Sequence, residues 1–223
     1  MHITNNISKF QFITNPFSKR THIEQTEKVC MAGCKWVQVR VKDKPEEEWM
    51  KIVQEIKEVC IQFNATLIVN DNVQLAKETG ADGVHLGKND LLPSEARKIL
   101  GNDFIIGGTA NTFEDIVELN KQKVDYIGLG PYRYTSTKKN LSPVLGLEGY
   151  TEIISLGKKN GINIPVIAIG GIEKQDIINL LNIGIYGVAV SSVITRAEYM
   201  ETETKDLLMQ FNYYKNYGKV ENC

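Results

Sequence analysis

The loudest chemical pattern in the chain is Val37-Gln38-Val39-Arg40-Val41-Lys42, where valines alternate with an amide and two cations. In an extended strand successive side chains point to opposite faces, so Gln38, Arg40 and Lys42 share one face. If the valines meet an apolar layer, the polar face points inward. Two unpaired cations there would cost on the order of several kcal/mol. An anionic ligand would compensate them: arginine offers a bidentate fork to phosphate oxygens, lysine a compact charge and glutamine an orienting donor. The competing readings are an edge strand with one face in water and an internal ion pair with Asp71.

Two carboxylates fall close to this pattern. Asn70-Asp71 ends the next strand candidate, and Asp90 closes the run His85-Leu86-Gly87-Lys88-Asn89-Asp90 after the one beyond it. Adjacent strands lie about 4.8 Å apart, so carboxylates at consecutive strand ends can share one hard divalent cation. The alternatives are a turn residue for Asp71 and a helix N-cap for Asp90. Further along, Gly130-Pro131-Tyr132-Arg133-Tyr134-Thr135-Ser136-Thr137-Lys138-Lys139 places three hydroxyls before lysines, a phosphate-binding composition or an exposed polar loop. Gly170-Gly171 and Ser191-Ser192 follow the last two strand candidates, where backbone N–H groups and hydroxyls could meet another phosphate. His85 sits inside a strand candidate and reads as packing rather than catalysis; no Ser-His-Asp set, Walker A loop or Gly-x-Gly-x-x-Gly fingerprint is present.

The elements that must position these residues follow from periodicity. Eight short apolar runs, at 9–15, 36–41, 66–71, 83–87, 104–110, 126–130, 164–171 and 187–194, alternate with amphipathic segments. Those segments start near Ile23, Pro45, Val73, Leu92, Thr112, Leu147, Lys174 and Tyr199, several with proline or acidic start signals. Gly33, Gly80, Gly101, Gly161 and Gly184 fall where helices give way to strands. Eight strand-helix units without a second composition zone predict a single (β/α)8 barrel, a TIM barrel, over residues 1–223. In such a barrel the active site lies at the C-terminal ends of the strands, where Asp71, Asp90, Gly170-Gly171 and Ser191-Ser192 fall.

Composition narrows the partners. The 223 residues carry 26 basic and 27 acidic side chains, a net charge of -1, which gives no global field for nucleic acid or anionic lipid. The reading is small-molecule substrates, no nucleic acid and no membrane, with a homo-oligomer left open. Cys30, Cys34, Cys60 and Cys223 make neither a Cys-x-x-Cys pair nor a disulfide framework, and the N-terminus shows no secretory pattern, so a cytoplasmic location is expected. Cys30 and Cys34 read as helix packing rather than metal ligands.

Taken in order, Gln38-x-Arg40-x-Lys42, Val69-Asn70-Asp71, His85 to Asp90, Gly107-Gly108-Thr109, Gly128-Leu129-Gly130-Pro131, Thr135-Ser136-Thr137-Lys138, Gly170-Gly171-Ile172 and Ser191-Ser192 resemble the thiamine phosphate synthase family over nearly the whole chain. The resemblance implies a transferase that condenses a pyrimidine diphosphate with a thiazole phosphate, or its carboxylated form, to thiamine phosphate and pyrophosphate. It implies that Gln38, Val39, Arg40, Val41, Lys42, Asn70, Thr109 and Lys138 hold the pyrimidine diphosphate. Asp71 and Asp90 would hold one Mg2+ per subunit. Thr135, Ser136, Thr137, Gly171, Ser191 and Ser192 would hold the thiazole phosphate, and Arg40, Lys42 and Lys138 would carry the catalysis. Two departures stand out: Thr109 where the family often has serine, and Asn111 where it often has histidine. The first keeps the hydroxyl. The second removes the imidazole on which thiazole tautomerase relatives depend, and so weighs against that alternative; a non-catalytic barrel binding thiamine precursors is the other. Arg133 stays open between an extra phosphate contact and a surface residue.

Overall fold

In the computed structural model, which describes residues 7–42, 44–135 and 142–218, eight parallel strands close in sequence order into a barrel. They are β1 (Phe10–Ile13), β2 (Trp36–Val39), β3 (Thr66–Asn70), β4 (Gly83–Leu86), β5 (Ile105–Ala110), β6 (Tyr126–Leu129), β7 (Val166–Ile169) and β8 (Gly187–Val190). The seam is parallel, with Phe10 opposite Val188 and Phe12 opposite Val190.

The helices are α1 (His22–Met31), α2 (Glu46–Gln62), α3 (Val73–Glu78), α4 (Pro93–Leu100), α5 (Phe113–Lys121), α6 (Gly146–Lys159), α7 (Ile177–Asn182), α8 (Ser192–Thr195) and α9 (Met200–Tyr217). Local chemistry starts them. Thr21 and Glu24 close a capping box on α1, Thr112 and Asp115 another on α5, and Pro93 opens α4. The glycines expected at the helix-to-strand joints all take positive φ, from 63° at Gly80 to 106° at Gly33.

Alternation along each strand divides the core in two. Outward residues such as Phe12, Val37, Leu67, Val84 and Val188 are fully buried against the helices. Inward residues Ile13, Trp36, Ile68, Ile105, Tyr126, Ile167 and Ala189 form a smaller cluster inside the barrel. Trp36 meets Tyr126 edge to face, centroids 4.8 Å apart.

Two expectations need correction. The strands are shorter than the apolar runs, so β2 stops at Val39, and Arg40 and Lys42 stand above the barrel rather than within it. Charged side chains can then reach water or a ligand without crossing the apolar layer. The run 187–194 is not all strand: the ladder ends at Val190, and 192–195 wind into α8. Its valine and isoleucine suited a strand by composition, but a parallel ladder ends where no neighbouring strand extends beside it. At the C-terminal side α9 stays helical to Tyr217. No helix among the described residues is long and apolar enough to cross a membrane.

Candidate active site

A cavity of about 440 Å³ opens at the C-terminal ends of the strands. Gln38, Arg40, Lys42, Asn70, Asp71, Asp90, Thr109, Thr135, Gly171, Ser191 and Ser192 all line it. Val39 and Val41 do not. Their side chains are buried in the outer core, as the alternation with the polar residues requires. Ser136, Thr137 and Lys138 lie outside the described residues.

The side built from β2 to β5 carries its polarity on side chains. Gln38 is buried at the cavity floor, where its amide donates to Gln11 Oε1 at 3.3 Å. Arg40 is half-buried; loss of solvent pulls its guanidinium below the ordinary value, and the negative charge of Asp71 works in the opposite direction. The Arg40 backbone is fixed by its N–H, which donates to Thr14 Oγ1 at 3.0 Å.

Asp71 sits in the turn between β3 and α3 with φ of +66°, an uncommon conformation for any residue but glycine. Its N–H donates to the His85 carbonyl at 2.8 Å, tying the strained turn to β4. Withdrawal from bulk water, then hydrogen bonding to and repulsion from Asp90, push the Asp71 carboxyl up to about 6, against the pull of Arg40 and Lys42. Asp90 is no N-cap: Leu92 holds that place on α4, and Asp90 Oδ2 accepts the Gly87 N–H at 2.7 Å. That bond fixes Asp90 beside Asp71. Two like charges pressed together at the mouth of a basic cavity are what a divalent cation would relieve. Among the described residues no group of three or more His, Cys, Asp or Glu gathers as a metal cluster. Magnesium, however, often takes only one or two carboxylates and fills its other positions with water and substrate phosphate, so the pair fits that ion.

The side built from β6 to β8 relies on backbone. Gly170 and Gly171 take φ of +92° and +69°, and the segment after β6 lies directly over them. A Cβ on Gly170 would come within 2.8 Å of Pro131 Cα, and one on Gly171 within 2.9 Å of Arg133 Cβ. Tyr132 N donates to Ile169 O and Arg133 N to Gly170 O, both at 2.9 Å, so the base of this loop prolongs the β6–β7 pairing. Arg133 resolves into a clamp. Its guanidinium forks onto buried Asp176 at 2.9 and 3.0 Å and donates to the Gly171 carbonyl at 2.6 Å. Ser191 precedes α8 without capping it through its side chain. An adjoining recess of about 560 Å³ shares Thr135, Gly171 and Ser192 with the cavity and adds Arg133 and Arg196.

Several lining residues escape the sequence pattern. Thr14 and Asn15 follow β1, and Asn15 is held by Gln25, which accepts the Asn15 N–H at 2.8 Å and donates to its carbonyl at 3.0 Å. Asn111 lines the cavity and donates through its amide to the Gly130 carbonyl. His85, read from sequence as packing, is buried yet reaches the cavity beside Thr109. For His85 a signal existed, because alternation in Gly83-Val84-His85-Leu86 puts it on the same face as Gly83, opposite the outward Val84.

The geometry has counterparts. The family model described as thiamine monophosphate synthase matches residues 10–194, nearly the whole barrel from β1 into α8. The chain belongs to the thiamine monophosphate synthase family. It is 49% identical over 198 residues to the thiamine-phosphate synthase of Bacteroides thetaiotaomicron, covering 89% of this chain and 95% of that one. It is 46% identical over 205 residues to that of Flavobacterium johnsoniae, covering 92% and 95%. Among solved structures, thiamine phosphate pyrophosphorylase from Pyrococcus furiosus superposes with a TM-score of 0.81 at 30% identity, over 93% of this chain and 96% of that one. As a member of this family the chain is a transferase of thiamine biosynthesis.

Proposed function

We propose that residues 1–223 form one cytoplasmic catalytic domain that joins a pyrimidine diphosphate to a thiazole phosphate, giving thiamine phosphate and pyrophosphate. The observation that carries this is the meeting of Arg40, Lys42, Asp71, Asp90 and Thr109 around one cavity, with the Gly170–Gly171 turn and Ser191-Ser192 facing them. The first set suits a diphosphate and a hard cation, the second a phosphate monoester. Asp71 and Asp90 would hold magnesium, which when bound neutralises charge on the leaving diphosphate.

The chemistry asks little covalent work of the protein. The bond from the pyrimidine methylene to the diphosphate oxygen breaks and leaves its electron pair on pyrophosphate. The thiazole nitrogen then supplies the pair for the new C–N bond. Arg40 and Lys42 bind the diphosphate and stabilise the charge that grows on it, with Lys138 in the same role; donors preorganised around a developing anion are commonly the largest contribution to catalysis. Gln38 and Asn70 orient the pyrimidine half, and Thr109 meets the diphosphate with its hydroxyl. Thr135, Ser136, Thr137, Gly171, Ser191 and Ser192 hold the thiazole phosphate so that its nitrogen faces the methylene, a gain of orientation. The isomerase alternative draws no support from Asn111, whose amide is engaged with the Gly130 carbonyl and has no titratable proton to move.

The test is a coupled pyrophosphate-release assay on the pure chain with magnesium, omitting each substrate in turn. Release is expected only with both organic substrates present. Release with the pyrimidine diphosphate alone, or turnover of the thiazole alone in the presence of chelator, would refute the reading.

A further inference from the structure

Below the cavity the barrel interior contains a line of polar side chains that the charge argument leaves unused. From Gln38, whose amide donates to Gln11 Oε1 at 3.3 Å, the line continues as Gln11 Nε2 donates to Tyr126 Oη at 3.5 Å, its longest link. Tyr126 Oη lies 3.0 Å from His85 Nδ1, and His85 Nε2 lies 3.0 Å from Thr109 Oγ1. Gln11, Gln38, Tyr126 and His85 are buried; Thr109 opens on the cavity. Two strand glycines make the room. A Cβ on Gly107 would press on the Tyr126 ring, 2.6 Å from Oη, and one on Gly128 would sit 3.0 Å from His85 Cε1. The His85 and Tyr126 rings stack, centroids 5.4 Å apart.

The line has a direction. Burial pushes the Tyr126 phenol well above its ordinary range, so it keeps its proton, and the Gln11 and Gln38 amides approach its oxygen as donors. That proton needs an acceptor, and His85 Nδ1 is in reach. A neutral imidazole that accepts at Nδ1 carries its hydrogen on Nε2, so Nε2–H donates to Thr109 Oγ1. With that oxygen engaged as an acceptor, the Thr109 proton is left to point into the cavity. We propose that Tyr126 and His85 are positioning residues that fix the Thr109 hydroxyl as a hydrogen-bond donor toward the diphosphate. The opposite direction would draw the Thr109 proton back to His85 and aim oxygen lone pairs at an anion, which only accepts. The proposal rests on the reading that Thr109 meets the diphosphate.

Two measurements test it. The first is the ¹⁵N imidazole spectrum of His85 in the ligand-free protein, assigned against H85Q. The Nε2–H tautomer is expected, and the Nδ1–H tautomer would overturn the proposal. The second is a double-mutant cycle in the pyrophosphate-release assay. Y126F is expected to lower kcat about tenfold and to leave the KM for the thiazole phosphate where it was. Combined with T109A it should add less than about twofold, because its effect passes through that hydroxyl. If T109A is impaired but Y126F multiplies the loss in full, the positioning role fails alone. If T109A equals the wild type, the placement of Thr109 against the diphosphate fails and takes this proposal with it. Should Y126F not fold, the tautomer of the unmodified protein still decides.

Discussion

The two sides of the barrel mouth are built by different means. From β2 to β5 the site presents charged and polar side chains, fixed from beneath by hydrogen bonds such as Arg40 N–H to Thr14 Oγ1 and Gly87 N–H to Asp90 Oδ2. From β6 to β8 it presents the small hydroxyl side chains of Thr135, Ser191 and Ser192 and a backbone shaped by glycines in the left-handed region and tied down by the Arg133–Asp176 fork. The difference follows from the chemistry proposed for each side. A leaving diphosphate gains charge as it departs and rewards strong point charges and a cation. A phosphate monoester that only anchors its substrate keeps its charge throughout, so neutral hydroxyls and oriented N–H dipoles suffice. Side-chain substitutions on the first side should therefore act on turnover, and backbone substitutions on the second should act on affinity.

The largest expected effect is that of Lys42→Ala or Arg40→Ala, which should lower kcat by about 10²- to 10³-fold with the circular dichroism spectrum of the fold unchanged. A loss confined to the KM for the thiazole phosphate would erase the distinction between the two sides. Asp71→Asn comes next. It should raise the magnesium concentration for half-maximal rate by at least about tenfold, since even outer-shell partners of a metal cost that much; a titration superimposable on the wild type would remove Asp71 from the cation site. Gly171→Ala tests the backbone side. Its φ of +69° and the 2.9 Å approach of Arg133 Cβ imply strain of about 1–3 kcal/mol. Movement of the turn to relieve that strain should raise the KM for the thiazole phosphate by about 5- to 150-fold, while saturating substrate should recover most of the turnover.

A further effect concerns stability rather than turnover. His22 Nδ1 lies 2.8 Å from Thr14 Oγ1, and burial, with Lys44 nearby, lowers its pKa from 6.5 to about 4. Between those values the unfolded chain binds a proton that the folded chain refuses, so stability falls as pH drops from 6.5 toward 4. His22→Gln should flatten that stretch of a plot of urea midpoint against pH. An unaltered slope would mean that His22 titrates alike in both states.

Much of this was legible in the chain. All eight strands follow from apolar runs, and the shared face of Gln38, Arg40 and Lys42 follows from period two alone. What failed was local extent. Alternation does not stop where hydrogen bonding stops, so β2 and β8 read too long, and α8 hid inside a run of good strand formers. The link from His85 to Thr109 and Tyr126 was out of reach for a different reason: it joins residues on three neighbouring strands, and only the ladder register, which sets both His85 and Tyr126 opposite Gly107, brings them together. Its trace was the glycine pair Gly107 and Gly128, meaningful once both are known to face inward. Arg133 was likewise ambiguous until Asp176, 43 residues on, appeared as its partner.

The seam between β1 and β8 has a consequence for how the molecule comes into being. Phe10 pairs with the strand that bears Val188, at the far end of the barrel sequence. A nascent chain emerging from its N-terminus therefore carries an unsatisfied β1 edge through almost the whole of synthesis, and the growing sheet carries a second edge that moves with each added strand. Such edges are templates for unwanted pairing between chains. The last helix finishes the closure from outside: Lys28 on α1 reaches Glu201 on α9 at 2.7 Å, and Phe10 meets Phe211 with centroids 6.2 Å apart. Chains that stall before α9 is released would be the aggregation-prone population, and their abundance would be set by translation rate rather than by the stability of the finished barrel.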